Sequence, residues 1–162
     1  MKYPVASLLR SANFGHMAHT DVGSLTLLFA SSTGLEVLVG DDEWVSVPPR
    51  ERCIIVNVGD TLSFLSGMLF RSCIHRVVPP QLGGYWDQEQ ARFSVAFFKR
   101  PELDSTFRDG AGRSWRGEEW HMVKYNVFRK GNDVQHETSL LTGRQGFLGH
   151  TNTNVATTAS TL

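Results

Sequence analysis

His19-Thr20-Asp21 places an imidazole and a carboxylate two positions apart. On an extended strand such residues project from one face, so both donors would point the same way. A second imidazole, His75, comes much later, inside another apolar, strand-like run, Cys73-Ile-His-Arg-Val-Val78. Two histidines and one carboxylate on one side of an ion are the facial set that suits Fe(II). They leave three coordination positions open, enough for a chelating cosubstrate and O2. The same donors also suit a structural zinc ion, and an H-x-D triplet alone arises often by chance.

A second i, i+2 pair, Arg92 and Ser94, strengthens the metal reading. The guanidinium is a planar fork of donors that matches a carboxylate bidentately, and the hydroxyl adds a donor beside it. An arginine on the inner face of a barrel is costly without an anionic partner. A dicarboxylate that chelates the metal at one end and meets Arg92 at the other would be that partner. A structural zinc site leaves Arg92 and Ser94 unexplained.

These residues need a scaffold of strands, and the pattern between residues 24 and 100 supplies one. Leu25, Leu27 and Phe29 alternate with Ser24, Thr26 and Leu28. Gly34 breaks the run, and Leu35, Val37 and Val39 follow up to the turn at Gly40-Asp41-Asp42. Trp44, Val45 and Val47 end at Pro48-Pro49; Cys53 to Val58 ends at Gly59-Asp60. Leu62 and Phe64 alternate before Gly67, Cys73 to Val78 stops at Pro79-Pro80, and Arg92 to Phe98 ends near Pro101. Short strands at close spacing with Gly and Pro between them predict a sandwich or barrel, with no helix in this stretch. Leu25, Leu27, Phe97 and Phe98 are candidates for an apolar pocket wall, with core packing the simpler expectation. Beyond Gly117, Trp120, Val123, Val127 and Phe128 fall at helical spacing, with Glu118 and Glu119 early and Arg129, Lys130 and Gly131 late. This predicts one amphipathic helix over about 117–130 on the outside of the β domain. Residues 151–162 are small and polar, as in a disordered tail.

Composition excludes several function classes. A chain of 162 residues suits one domain with an apolar core. Sixteen basic residues balance sixteen acidic ones, so there is no general attraction to nucleic acid or to an anionic membrane. No apolar stretch is long enough to span a membrane, and the opening MKYPVASLLRSA lacks a signal-peptide core. Cys53 and Cys73 form no zinc or redox motif and are expected as free thiols. The expectation is a cytoplasmic protein that acts on a small molecule.

Several blocks, in order over about residues 3 to 100, resemble the isopenicillin N synthase-like branch of the Fe(II)/2-oxoglutarate-dependent oxygenases. They are Tyr3-Pro4, His19-Thr20-Asp21-Val-Gly-Ser-Leu-Thr-Leu-Leu, Gly34-Leu-Glu-Val, Trp44-Val-Ser-Val-Pro, Asn57-Val-Gly-Asp60, Ser72-Cys-Ile-His75-Arg-Val and Arg92-Phe-Ser94. The resemblance implies a mainly β fold, a double-stranded β-helix or jelly roll over 1–102 with its first strand clipped. A C-terminal extension over 103–150 would carry the helix. It implies that His19, Asp21 and His75 hold Fe(II), that Arg92 and Ser94 bind the distal carboxylate of 2-oxoglutarate, and that Tyr3 also reaches this cosubstrate. No catalytic side chain beyond the metal ligands is implied. The Asn57–Asp60 turn is expected to be structural, Arg76 to face away from the metal, and His16 to be out of phase with Asp21. The implied reaction converts 2-oxoglutarate and O2 to succinate and CO2 while hydroxylating, desaturating or cyclising a small substrate, with ascorbate as a supporting reductant.

Members of that branch carry a largely helical region ahead of the Tyr-Pro block, whereas Tyr3 here is the third residue. An exposed apolar surface and an unpaired sheet edge are therefore expected. The chain would be a fragment, a reduced protein, or one completed by a second copy or a partner subunit. Two other functions fit the residues. One is an iron oxidase that needs no 2-oxoglutarate, with Arg92 and Ser94 binding the substrate's own carboxylate. The other is a non-catalytic binding protein with a vestigial site.

Overall fold

The computed structural model describes residues 2–3, 16–78, 92–130 and 139–140. The expected tail at 151–162 and the strand stop at Pro79-Pro80 lie outside them. The described strands are β1 (Lys2–Tyr3), β2 (His16–His19), β3 (Leu25–Ala30), β4 (Leu35–Val39), β5 (Glu43–Ser46), β6 (Ile55–Val58), β7 (His75–Val77), β8 (Arg92–Lys99), β9 (Thr106–Arg108) and β10 (Ser114–Arg116). Helices α1 (Asp60–Leu65) and α2 (Gly117–Phe128) complete the set.

Two four-stranded antiparallel sheets, ordered β1-β8-β3-β6 and β2-β7-β4-β5, form a jelly roll. Residues of both sheets line one cavity between them. The pleat decides which side chains reach it. In the first sheet, register places Phe98, Thr26 and Asn57 in one inward row and Ala96, Leu28 and Ile55 in the next. The alternate row, Phe97, Leu27 and Val56, has the opposite phase, shared with the exposed Phe29, Phe93 and Val95, although Val56 and Val95 also border the cavity. In the second sheet, His75 pairs with both His19 and Val37 on the cavity side. Arg76 lies on the other face, bonding Glu36 at 2.8 Å and stacking over Trp44.

The expected strand at Leu62 and Phe64 is instead helix α1. Two residues alternate equally well in a strand or in a single helical turn, and tertiary contacts decide. The amides of Asp60 and Thr61 donate to the carbonyls of Asp21 and Gly23, and the Thr61 hydroxyl donates to Val22. Gly59 makes this approach possible: a Cβ there would stand 2.2 Å from the Gly23 carbonyl oxygen. Phe64 then packs with Phe107, Trp115 and Trp120 in a cluster beneath α2.

The β9–β10 hairpin, which the sequence pattern does not announce, leads into α2. Its turn is tied by Asp109, whose carboxylate accepts from the Ala111 and Arg113 amides and from Trp115 Nε1. In α2, Glu119 caps the Arg116 amide, and Trp120, Lys124 and Val127 turn inward. No helix among the described residues is long and apolar enough to cross a membrane.

Candidate metal centre and cavity

Strand β2 reaches His19 through a register shift, in which His16 pairs with Val77 and His19 with His75. Such an irregularity re-aims a side chain, and here the rings of His19 and His75 lie 4.3 Å apart between centroids. Asp21 follows directly, held by the Asp60 amide on its carbonyl. Its Oδ1 stands 3.8 Å from Nε2 of each histidine, and the donor atoms of all three residues lie within 4.8 Å of one another.

The hydrogen bonds around these side chains favour a cation at their centre. His75 Nδ1 lies 3.0 Å from the Cys73 carbonyl oxygen, which can only accept, so Nδ1 donates there and Nε2 is the nitrogen turned toward Asp21. Asp21 Oδ2 accepts from Thr26 Oγ1 at 2.6 Å and Asn57 Nδ2 at 2.8 Å, which leaves Oδ1 turned toward the imidazoles. Burial alone would raise the Asp21 carboxyl. The neighbouring His75, the Asn57 and Thr26 hydrogen bonds and His19 together outweigh it and hold the group below the usual carboxylate range. A buried carboxylate oxygen 3.8 Å from two imidazole Nε2 atoms is a donor set that fits a divalent ion of intermediate hardness, as Fe(II) is. Cys73 also lines the cavity, but burial and then the Asp21 charge push its thiol up. That disfavours a thiolate ligand.

The cavity has a volume of about 890 Å³. Arg92 and Ser94 line it together with the three metal-type donors. Arg92 Nε donates to the Thr33 carbonyl at 3.0 Å, and Nη1 lies 3.4 Å from Ser94 Oγ. Tyr3 is opposite Arg92 in the β1–β8 register; its side chain lies outside the described residues. Of the four candidate wall residues, Phe98 lines the cavity, while Leu25, Leu27 and Phe97 do not. Thr26 takes the inward phase because its hydroxyl binds Asp21, and this sends the neighbouring leucines outward.

Several site residues escape sequence reasoning. Asn57 and Thr26 orient Asp21, although the sequence suggests only a structural role for the Asn57 turn. The usable signal is a lone amide in the apolar run Ile-Ile-Val-Asn-Val. Helix α2, expected on the outside, also closes one side of the cavity with His121, Tyr125 and Phe128. Phe128 meets the His19 ring edge-on at 5.2 Å. His121 Nε2 lies 3.5 Å from Arg100; burial, then the Arg100 charge, pulls its pKa down.

Comparison with known proteins agrees with this arrangement. Residues 4–101 match the model of the 2OG-Fe(II) oxygenase superfamily. The chain is 44% identical over 144 residues to the 2-oxoglutarate-dependent dioxygenase frbH of Dothideomycetidae sp., covering 88% of this chain and 43% of that protein. It is 41% identical over 136 residues to the 2-oxoglutarate-dependent dioxygenase iboH of Amanita muscaria, covering 82% and 65%. The fold superimposes on a full-length Neurospora crassa protein solved in complex with alpha-KG and thymine, with a TM-score of 0.59 and 29% identity over 68% of this chain and 37% of that one. The chain thus spans about half the length of these curated relatives. With the matched segment covering more than half of its residues, the chain belongs to the 2OG-Fe(II) oxygenase superfamily.

Proposed function

We propose that the protein is an Fe(II)- and 2-oxoglutarate-dependent dioxygenase that oxidises a small organic molecule in specialised metabolism. The observation that carries this reading is the meeting, in one cavity, of a His-Asp-His donor set with an Arg-Ser pair suited to a carboxylate. His19, Asp21 and His75 would hold the iron. Arg92 and Ser94, with Tyr3 opposite in register, would bind the far carboxylate of 2-oxoglutarate. The bound metal and cosubstrate supply O2 activation coupled to decarboxylation. The chain's own residues orient and shield. Asn57 and Thr26 fix Asp21, and the Cys73 carbonyl fixes His75. The apolar walls, Leu28, Leu35, Val37, Ile55, Val77 and Phe98, exclude water. Aromatic residues of α2 offer a face for the substrate.

The test is anaerobic addition of Fe(II) and then 2-oxoglutarate, followed by a succinate assay in air. A visible charge-transfer band on 2-oxoglutarate addition, and iron-dependent succinate, are the expected results. Iron binding with neither would favour the second reading, an oxidase in which Arg92 and Ser94 take the substrate's carboxylate; the pair serves either anion equally well.

Two further readings concern setting. Free Cys53 and Cys73 support a reducing compartment, and we assign the cytoplasm. The outward face of Phe29, Val56, Phe93, Val95 and Phe97 is about half to two-thirds exposed. Such a patch supports self-association. The isolated chain is expected to elute above monomer mass in size-exclusion chromatography; a compact monomer at micromolar concentration would contradict this.

A further inference from the structure

We infer that Lys124, on the C-terminal helix, is a positioning residue for the metal ligands, an inference that rests on the metal-centre reading above. Lys124 lies outside residues 4–101, the segment matched by the superfamily model.

Lys124 is fully buried, with 0% exposure, although lysine is among the residues least often found inside. Its ammonium bonds the carboxylate of Asp60 and donates to Thr20 Oγ1 at 2.6 Å. Both contacts lead to the donor set. Thr20 stands between His19 and Asp21. Asp60 is held at two points, its carboxylate on Lys124 and its amide on the Asp21 carbonyl at 2.8 Å. The chain of contacts therefore closes on itself, from the Thr20 side chain through Lys124 and Asp60 to the Asp21 backbone. It fixes the peptide that carries two of the three donors.

Burying a pair of charges to secure one segment is costly, and apolar packing would stabilise the helix as well or better. Simple anchoring of α2 is already provided by Trp120 and Val127. What apolar side chains cannot do is bond a hydroxyl and a carboxylate in fixed directions. The Trp120 ring, with Nζ 5.8 Å from its centroid, forms part of the ammonium's apolar enclosure.

Two effects of losing Lys124 have opposite signs. Removing a positive charge near Asp21 would tighten binding of a cation. Releasing Thr20 and Asp60 would loosen it by disordering the donors. The double variant Lys124→Met with Asp60→Asn removes both charges and keeps the net charge of the pair, so it isolates positioning. Thr20→Val cuts the link to the ligand peptide and leaves the Lys124–Asp60 pair in place.

The experiment is Co(II) titration of the full chain, read by the visible d–d spectrum, with circular dichroism and thermal melting of each apo-protein. Supporting residues around metal ligands typically change affinity by about 10–100-fold. The double variant is expected to be folded, to bind Co(II) about tenfold more weakly, and to show shifted d–d bands. Thr20→Val is expected to weaken binding at least about threefold, by the same kind of effect. A folded double variant with wild-type affinity and spectrum overturns the inference. If the double variant does not fold, Thr20→Val decides: weaker binding supports the inference, and unchanged binding overturns it. Wild-type protein that binds no Co(II) would instead refute the metal-centre reading, and this inference with it.

Discussion

Asp21→Ala is expected to abolish Fe(II) binding, lowering affinity by about a thousandfold or more, well beyond the loss typical of supporting residues. Asp21 is the one anion of the three donors. Two neutral imidazoles alone would face a hydrated dication with no countercharge in a largely apolar cavity. The carboxylate is also oriented with care: Oδ2 is occupied by Thr26 and Asn57, and Oδ1 stands 3.8 Å from both Nε2 atoms. Asn57→Ala should therefore give an intermediate result, about 10–100-fold weaker, because it releases the carboxylate without removing it. Anaerobic titration calorimetry with Fe(II) checks both. The apo-proteins should stay folded. In Asp21→Ala the buried Thr26 loses its acceptor at about 1–3 kcal/mol and the half-buried Asn57 loses its own at less, but a buried charge is relieved at the same time. Iron binding by Asp21→Ala within tenfold of wild type would show that the ion sits elsewhere.

The candidate donors can be named from the sequence by residue type, spacing and the family resemblance, although Asp21 lies beyond the end of β2 and strand phase does not place it. His19 and Asp21 are two apart, and His75 lies in a dense apolar run. What escapes depends on contacts between distant segments. The alternation of Leu25, Leu27 and Phe29 looks like an inward row, yet the buried residue is Thr26, because Asp21 needs its hydroxyl. Leu62 and Phe64 look like a strand, yet the carbonyls of Asp21 and Gly23 capture the amides that begin a helix. Lys124 has a visible signal. It sits between Trp120 and Val127 on the apolar side of its helix, where a lysine implies a buried partner. Its partner, Asp60, cannot be found without the fold that brings residue 60 beneath residue 124.

Those same contacts separate two kinds of residue at the site. Some set whether a metal binds, and others set what binds beside it. Arg92 is of the second kind, for it lines the cavity but offers no metal donor.

Arg92→Ala is accordingly expected to leave Fe(II) affinity unchanged while weakening 2-oxoglutarate binding about a hundredfold or more. This is the scale for truncating one partner of a desolvated, hydrogen-bonded charge pair. Arg92→Lys should recover part of the loss, since it restores charge but not the planar fork. The fork is aimed by the Thr33 carbonyl at 3.0 Å and by Ser94. Its approach depends on Gly34, which has a φ of +114°. A Cβ at Gly34 would stand 2.9 Å from the Val78 carbonyl oxygen and 3.5 Å from Arg92 Nε. Gly34→Ala should thus weaken 2-oxoglutarate binding by displacing Arg92 rather than removing it, and by less than Arg92→Ala does. The readout is the charge-transfer band at increasing 2-oxoglutarate in the iron-loaded protein. If the band forms with wild-type affinity in Arg92→Ala, the arginine serves another anion, and the substrate's own carboxylate becomes its partner.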